Sequence, residues 1–379
     1  MEAETEGTFE RRNTKPRLDD HPGATAASLL TDDLILEILS RLPARSVHRF
    51  KCVSVLWRDL IAANRNKLPH TLAGFLYRTI RNARRHHFAS VSGGAIPFDP
   101  CLQPNKYKDM TQVDSCNGLL LYRSCANRDD FRLVVCNPST GRWVELPPKP
   151  QAPASTSSRT IGLAFDPAVS PHFHVLCFEQ TLQETYMTGV NIYSSQTGAW
   201  SLRGSGTVEK VTLFLGSSKC VSVGGMLYLN GKLHVRGDFV LVGVDMEGKV
   251  WTTTPLPYPR MFGMIGSSQG CLHYAIPPAD DNNGILFSKR EIWCLKDRNS
   301  KELVLKHTAN IDKLMTGHSY RVVGIHPDCD TIFLISYEDD TLVSYDMLHQ
   351  KVDRIVNLEK DDADQFLPYV PLFSESLAD

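Results

Sequence analysis

The chain has 379 residues, 42% hydrophobic and 22% charged, and its 41 Lys and Arg against 42 Asp and Glu leave a formal net charge of −1. That length holds two domains, or one large domain with an appendage, at ordinary globular composition. The charge balance excludes the basic excess expected of a nucleic-acid binder, and no apolar run reaches the roughly 18 residues of a membrane span.

Residues 1–27 are polar, charged and without periodicity, which predicts a disordered tail. The Arg11–Arg17 stretch reads as part of that solvated tail in preference to a nuclear address. Helical signals begin at Ser28. Thr31 is placed to cap a helix whose first turn holds Asp32 and Asp33, carboxylates suited to the positive end of the helix dipole. Leu34, Ile35, Ile38, Leu39 and Leu42 follow at helical spacing, and Pro43 stops the helix. Ser46 is the expected cap of a second short helix with Val47 and Phe50. Ser54 is that of a third, with Trp57, Leu60 and Ile61. Three such helices carry more apolar surface than they can bury among themselves, so the 28–70 segment needs a partner.

From about Leu72 onward the texture is that of strands. A turn unit recurs five times, with a small polar residue six positions before a large apolar one. It runs Asn137 to Trp143, Ser194 to Trp200, Asp245 to Trp251, Asp297 to Leu303 and Asp346 to Val352. The period is roughly 50 residues, as in kelch-type blades. The small residue favours a tight turn by bonding to the backbone ahead, and Gly141 and Gly198 supply positive φ. A Gly-x-Leu…Tyr pattern begins at Gly118, Gly225 and Gly270, about one hairpin before a turn unit. Gly162–Pro167 before Phe173–Glu179, and Gly324–Pro327 before Thr331–Tyr337, read as inner and middle strands of a blade. Strand-like Gly74–Tyr77 and Phe366–Leu377 lie outside the five copies. Two chain ends joined in one blade would make six, with five or seven open. The Gln151–Ser158, Ala279–Asn283 and Glu359–Asp364 stretches, and the basic Arg81–His87 cluster, are expected as loops. The predicted fold is mainly β with a small α domain: a three-helix unit at 28–70, then a propeller of about six blades over 71–379.

Ten cysteines include no C-x-x-C pair. Cys136, Cys177, Cys271 and Cys294 lie in apolar strand-like runs, where a reduced thiol acts as a small hydrophobe. With no signal peptide in the sequence, the expectation is an intracellular protein of the nucleus and/or cytoplasm, without disulfides, metal or cofactor. Among catalytic motifs, H-E-x-x-H and a phosphate loop are missing. The pairs Asp32-Asp33, Asp129-Asp130 and Asp339-Asp340 read as a helix start and solvated turns. Trp143, Trp200, Trp251, Tyr122, Tyr228 and Tyr274 read as blade core, and His172, His174 and His326 lack ligand spacing.

The blocks Ile38-Leu39-Ser40-Arg41-Leu42-Pro43, Arg49-Phe50-Lys51-Cys52-Val53-Ser54 and Trp57-Arg58-Asp59-Leu60-Ile61, in this order, resemble an F-box. The segments Cys116–Leu121, Asn137–Pro147 and Leu367–Phe373 resemble the F-box-associated, kelch-like region of the large plant F-box family. The resemblance implies a non-catalytic substrate receptor of an SCF-type ubiquitin ligase. Its F-box would dock on a Skp-type adaptor, and through it on a cullin-RING scaffold, while the propeller holds an unknown protein client; neither nucleic acid nor membrane is implied. Matched to the motif, the adaptor face would draw on Leu30, Leu34, Ile38, Leu39, Leu42, Pro43, Val47, Phe50, Val53 and Trp57. Thr31 stands where F-boxes usually carry Pro, and a threonine can still cap. Two other classes stay open: a ubiquitin-independent propeller scaffold or glycan-binding module, and a propeller enzyme with its site in the central channel.

Overall fold

A computed structural model describes residues 30–40, 46–47, 50, 53–64, 72–79, 86–91, 99, 101, 103–124, 131–150, 156–183, 185–213, 219–277, 285–286, 288–297, 301–311, 319–358 and 363–372. The expected tail at 1–27 lies outside them, as do Leu42 and Pro43. The chain separates into two compact units, Met1–Pro69 and His70–Asp379.

In the first unit, helix α1 spans Asp32–Ser40 and helix α2 spans Val55–Ala63. Thr31 caps α1 as its residue type predicts. Its carbonyl accepts from Ile35 N–H at 3.0 Å and its hydroxyl from Leu34 N–H at 3.4 Å. Ser54 caps α2 by accepting from Trp57 N–H at 3.1 Å. Of the expected second helix, only Ser46, Val47 and Phe50 are described; these three are helical, and the other residues expected in it lie outside the described residues. Ile35, Leu39, Val47 and Ile61 form the core, with Leu36, Phe50, Trp57 and Leu60 packed on it.

The second unit is a six-bladed propeller. Blade A joins both ends of the unit: β1 (Gly74–Thr79), β2 (His86–Ser90) and β24 (Ala363–Tyr369), in the order β2-β1-β24. Gly74 pairs with Tyr369 and Thr79 with Ala363, the two-ended closure that the sequence suggests. Blade B holds β3 (Met110–Cys116), β4 (Leu119–Ser124), β5 (Leu133–Asn137) and β6 (Arg142–Glu145). Blade C holds β7 (Thr156–Phe165), β8 (Phe173–Thr181), β9 (Met187–Ser194) and β10 (Ala199–Gly204). Blade D has an interrupted inner strand, β11 (Val211–Leu213) and β12 (Val221–Val223), both paired to β13 (Met226–Leu233). Its β14 (Phe239–Asp245) and β15 (Trp251–Pro255) complete it. Blade E holds β16 (Met264–Ser268), β17 (Cys271–Ile276), β18 (Lys289–Leu295) and β19 (Leu303–Asn310). Blade F holds β20 (Tyr320–Ile325), β21 (Thr331–Ser336), β22 (Thr341–Asp346) and β23 (Lys351–Asn357). The inner strands touch in ring order, β24, β3, β7, β12, β16, β20 and back to β24.

The core lies between blades. On β4, Leu119 and Leu121 face Leu163 and Phe165 of blade C, while Leu120 and Tyr122 face Leu76 and Tyr369 of blade A. Burial on both faces explains why Leu119–Tyr122 is an unbroken apolar run and not an alternating one.

The five turn units all join the third strand of a blade to the fourth. The large residue pairs across to the residue just before the small one in four of them: Trp143 with Cys136, Trp200 with Tyr193, Trp251 with Val244 and Val352 with Tyr345. In the Asp297 copy the hairpin is one residue longer, and Leu303 pairs with Leu295. The side chains of Asn137, Asp245 and Asp346 accept from backbone N–H groups of Ser139, Lys249 and Leu348 at 3.1, 2.8 and 2.9 Å. At Ser194 the carbonyl does this work, accepting from Gly198 N–H at 2.9 Å. Gly141 and Gly198 have positive φ, and so does Gln350 at the matching place in blade F.

Several expectations need correction. Strand β7 begins at Thr156, so residues 156–158 are strand, and Ala363 and Asp364 belong to β24. His86 and His87 open β2 rather than a loop. Cys271 is exposed and Cys294 half-buried, because both sit where the blade E sheet meets solvent. Residues 81–85, 151–155, 279–283 and 359–362, and Asp129-Asp130, lie outside the described residues.

Candidate functional site

Two apolar stripes run along α1 and the residues just before it. Ile35 and Leu39, four residues apart, are buried in the helical core. Leu30, Leu34 and Ile38, also four apart, are 38%, 52% and 46% exposed. Val53 before α2 and Val55 and Leu56 in its first turn are each about 60% exposed, at 60%, 63% and 61%. The other expected face residues sit differently. Leu39 and Val47 are core, and Phe50 and Trp57 pack against that core and each other, with ring centroids 5.2 Å apart. Leu42 and Pro43 lie outside the described residues. Val55 and Leu56 escaped motif matching, although their place just after the Ser54 cap marks them as first-turn residues that precede half-buried Leu60 and buried Ile61.

In the propeller, aromatic residues pack. Trp143 lies 5.2 Å from both Tyr107 and Tyr122, and Trp200 lies 5.4 Å from Tyr193 while donating to Pro147 O at 2.9 Å. Tyr122, Tyr228 and Tyr274 are buried. His172 and His174 flank Phe173 at the start of β8, and His326 follows β20. Among the described residues no three His, Cys, Asp or Glu side chains gather to hold a metal. None of the described helices is long and apolar enough to cross a membrane.

Polar side chains, about half of them buried, pin each blade junction, and spacing did not reveal them. Ser115 Oγ donates to Pro368 O at 2.8 Å and Asn137 Nδ2 to Leu372 O at 3.0 Å, from blade B to the closing strand and the residues after it. Asn117 Nδ2 donates to Phe165 O at 2.6 Å between blades B and C. Gln180 Nε2 donates to Leu213 O at 3.1 Å between C and D, and Asn230 Nδ2 to Gly263 O at 3.0 Å between D and E. Arg290 Nη2 donates to Tyr320 O at 2.5 Å between E and F, where Lys306 also meets Asp330 at 2.6 Å. Arg321 Nη2 donates to Ala363 O at 2.7 Å between F and A. Lys149 and Glu179, both buried, pair at 2.6 Å, with Asn191 Nδ2 2.7 Å from the same carboxylate oxygen. Burial pushes the Asp114 carboxyl up to about 7 against two backbone N–H bonds, and lowers Lys219 to about 8. These arrangements tie side chains to neighbouring backbone and to one another, which is structural work.

A family model described as F-box protein At3g26010-like, beta-propeller, matches residues 89–370, and one described as F-box domain matches residues 28–68. Three relatives from Arabidopsis thaliana show the same breadth. F-box protein At5g07610 is 26% identical over 69% of this chain and 68% of its own length. Putative F-box/kelch-repeat protein At1g15680 is 25% identical over 85% and 82%, and F-box protein At3g26010 is 26% identical over 88% and 81%. An F-box segment followed by a β-propeller is what those matches describe, and this chain belongs to the At3g26010-like family of F-box β-propeller proteins.

Proposed function

We propose that this protein is the substrate-recognition subunit of an SCF-type ubiquitin ligase, acting inside the cell, in the nucleus and/or cytoplasm. Its 28–70 unit docks on a Skp-type adaptor and through it on a cullin-RING scaffold, and its 71–379 propeller holds the client. The outward stripe of Leu30, Leu34 and Ile38, together with exposed Val53, Val55 and Leu56 at and just before the start of α2, carries this reading. A small helical unit that keeps such side chains in water is completed by a partner's apolar surface, in an interface of about 1,600 Å² in total. Leu39 and Val47 support the face from beneath. The chain contributes no catalytic group. It contributes proximity, holding a client lysine near the charged ubiquitin carrier.

Immunoprecipitation of the tagged protein from plant cells tests this. Adaptor and cullin are expected in the precipitate, and the double variant Leu34→Glu/Ile38→Glu should lose both while keeping its melting temperature. Equal recovery with wild type and variant would overturn the docking face, and no adaptor with either would overturn the function.

A further inference from the structure

The tight hairpins joining first to second and third to fourth strands lie at one end of the propeller. The remaining connections lie at the other end, because neighbouring strands run antiparallel. At that second end blade D gathers three connectors: residues 205–210, 234–238 and 256–263. Backbone bonds hold them side by side, His234 N–H to Lys210 O at 2.8 Å and Phe239 N–H to Pro259 O at 2.8 Å. Apolar side chains project from them into solvent: Val208 is 99% exposed, Val235 85% and Phe262 51%. Phe262 also touches Phe239, with centroids 5.4 Å apart. Cations surround these groups. Lys210 Nζ lies 4.1 Å over the Tyr186 ring and Lys232 Nζ 5.6 Å over the Phe239 ring. Arg236 and Arg260 are exposed on the second and third connectors. Among the described residues, the carboxylates beside Lys210, Lys232, Arg236 and Arg260 are fewer: Glu209, which meets Arg236 at 3.5 Å, Asp238, and Glu291, which accepts from the Tyr258 hydroxyl of the third connector at 3.0 Å. The rest of the chain is therefore net acidic, since the whole sums to −1.

We propose that this end of blade D seats an acidic peptide segment of the client protein, with an aliphatic or aromatic side chain set among its carboxylates. The inference rests on the reading that the propeller holds a client, and it names the chemistry of that client's docking segment. The apolar anchor would lie against Val208, Val235 and Phe262, and the carboxylates would meet Lys232, Arg236 and Arg260. Ring-backed ammonium groups such as Lys210 and Lys232 are held in place before binding, which lowers the ordering cost. Nucleic acid fits less well, because a phosphate every few ångströms needs a long basic stripe and would meet Glu209 and Asp238.

Fluorescence polarisation with the purified full chain tests it. The probe is a labelled dodecapeptide of Glu and Asp with one central Phe. The comparison probes are the same peptide with Gln and Asn in place of its acids, and an oligo-dT of matching length. Binding of the acidic peptide should weaken with salt. It should fall about tenfold or more, equivalent to ~1.4 kcal/mol, in Lys232→Glu/Arg260→Glu and separately in Val208→Asp. Equal binding of the amide peptide, an unchanged affinity in both variants, no binding of the acidic peptide, or tighter binding of oligo-dT would each overturn the proposal. Adaptor capture by these variants should match wild type. Loss of the peptide result therefore leaves adaptor docking standing, and loss of adaptor docking leaves the peptide result standing.

Discussion

Asp114 sits on the innermost strand of blade B and accepts from Ser115 N–H at 2.9 Å and from Leu163 N–H of blade C at 2.8 Å. Burial raises its folded pKa to about 7 from an ordinary 3.8. The native state thus binds more protons than the unfolded one in this window, and stability should fall as pH rises from about 4 to about 7. Lys219, lowered from 10.5 to about 8, has the opposite sign, and its contribution should rise from pH about 8 to about 10.5. Urea unfolding across this range should show a shallow minimum near neutrality. Asp114→Asn should flatten the acid limb and also cost roughly 1–3 kcal/mol, because an amide N–H would face one of the two backbone donors. A retained acid slope in that variant would assign the titration to another group. Gly118 gives a second residue-scale expectation. It has φ +93°, and a Cβ there would lie 2.7 Å from Val370 O and 2.4 Å from Leu372 Cβ. Gly118→Ala should lower the melting temperature and loosen the closing segment, as read by hydrogen exchange at residues 366–372. The hairpin glycines and the Asn137, Asp245 and Asp346 turns were legible because their roles are local. Asp114, Glu179 and Arg290 were not, since a single buried charge leaves no spacing and its partners lie far off along the chain.

At the scale of elements, three inner hairpins share one construction. Asn117-Gly118, Gly224-Gly225 and Gln269-Gly270 all have positive φ at both positions, as a two-residue type I′ turn requires. The Gly-x-Leu…Tyr pattern is therefore the end of a turn and the start of a second strand. Second and third strands were readable because both faces are buried, as in β5 with all five residues buried. Fourth strands such as β10, β19 and β23 are largely exposed, so only their anchoring Trp200, Leu303 or Val352 marked them. Strand β24 closes the ring with Phe366, Leu367 and Tyr369 all buried. Ending the chain before Ala363 removes side chains worth ~1.5–3 kcal/mol each on burial. It should cost the propeller most of its cooperative transition by calorimetry, and an unchanged transition would show that the ring does not depend on this pairing. On α1, a single 3.6-residue period carries two apolar stripes one position apart. Sequence pattern alone merged them, because inward Ile35 and Leu39 and outward Leu34 and Ile38 are chemically alike.

At the scale of the whole molecule, five legible turn copies correspond to the five blades B to F, four of four strands and blade D of five. The sixth blade left no copy because, among the described residues, it has three strands and no third-to-fourth hairpin. Its closure still showed in the strand-like ends at Gly74 and Phe366. What the client contacts was not legible, since connectors at one end of a propeller share no register with the repeat. The division of labour proposed here asks one unit to attach and the other to recognise. Isothermal titration of the purified full chain with a purified Skp-type adaptor tests the attaching half most directly. The expected result is one adaptor per chain, with affinity reduced more than about 100-fold in Leu34→Glu/Ile38→Glu, since two buried leucine-sized side chains supply ~3 kcal/mol or more. An adaptor that fails to bind the wild-type chain, or binds the folded double variant equally well, would contradict it.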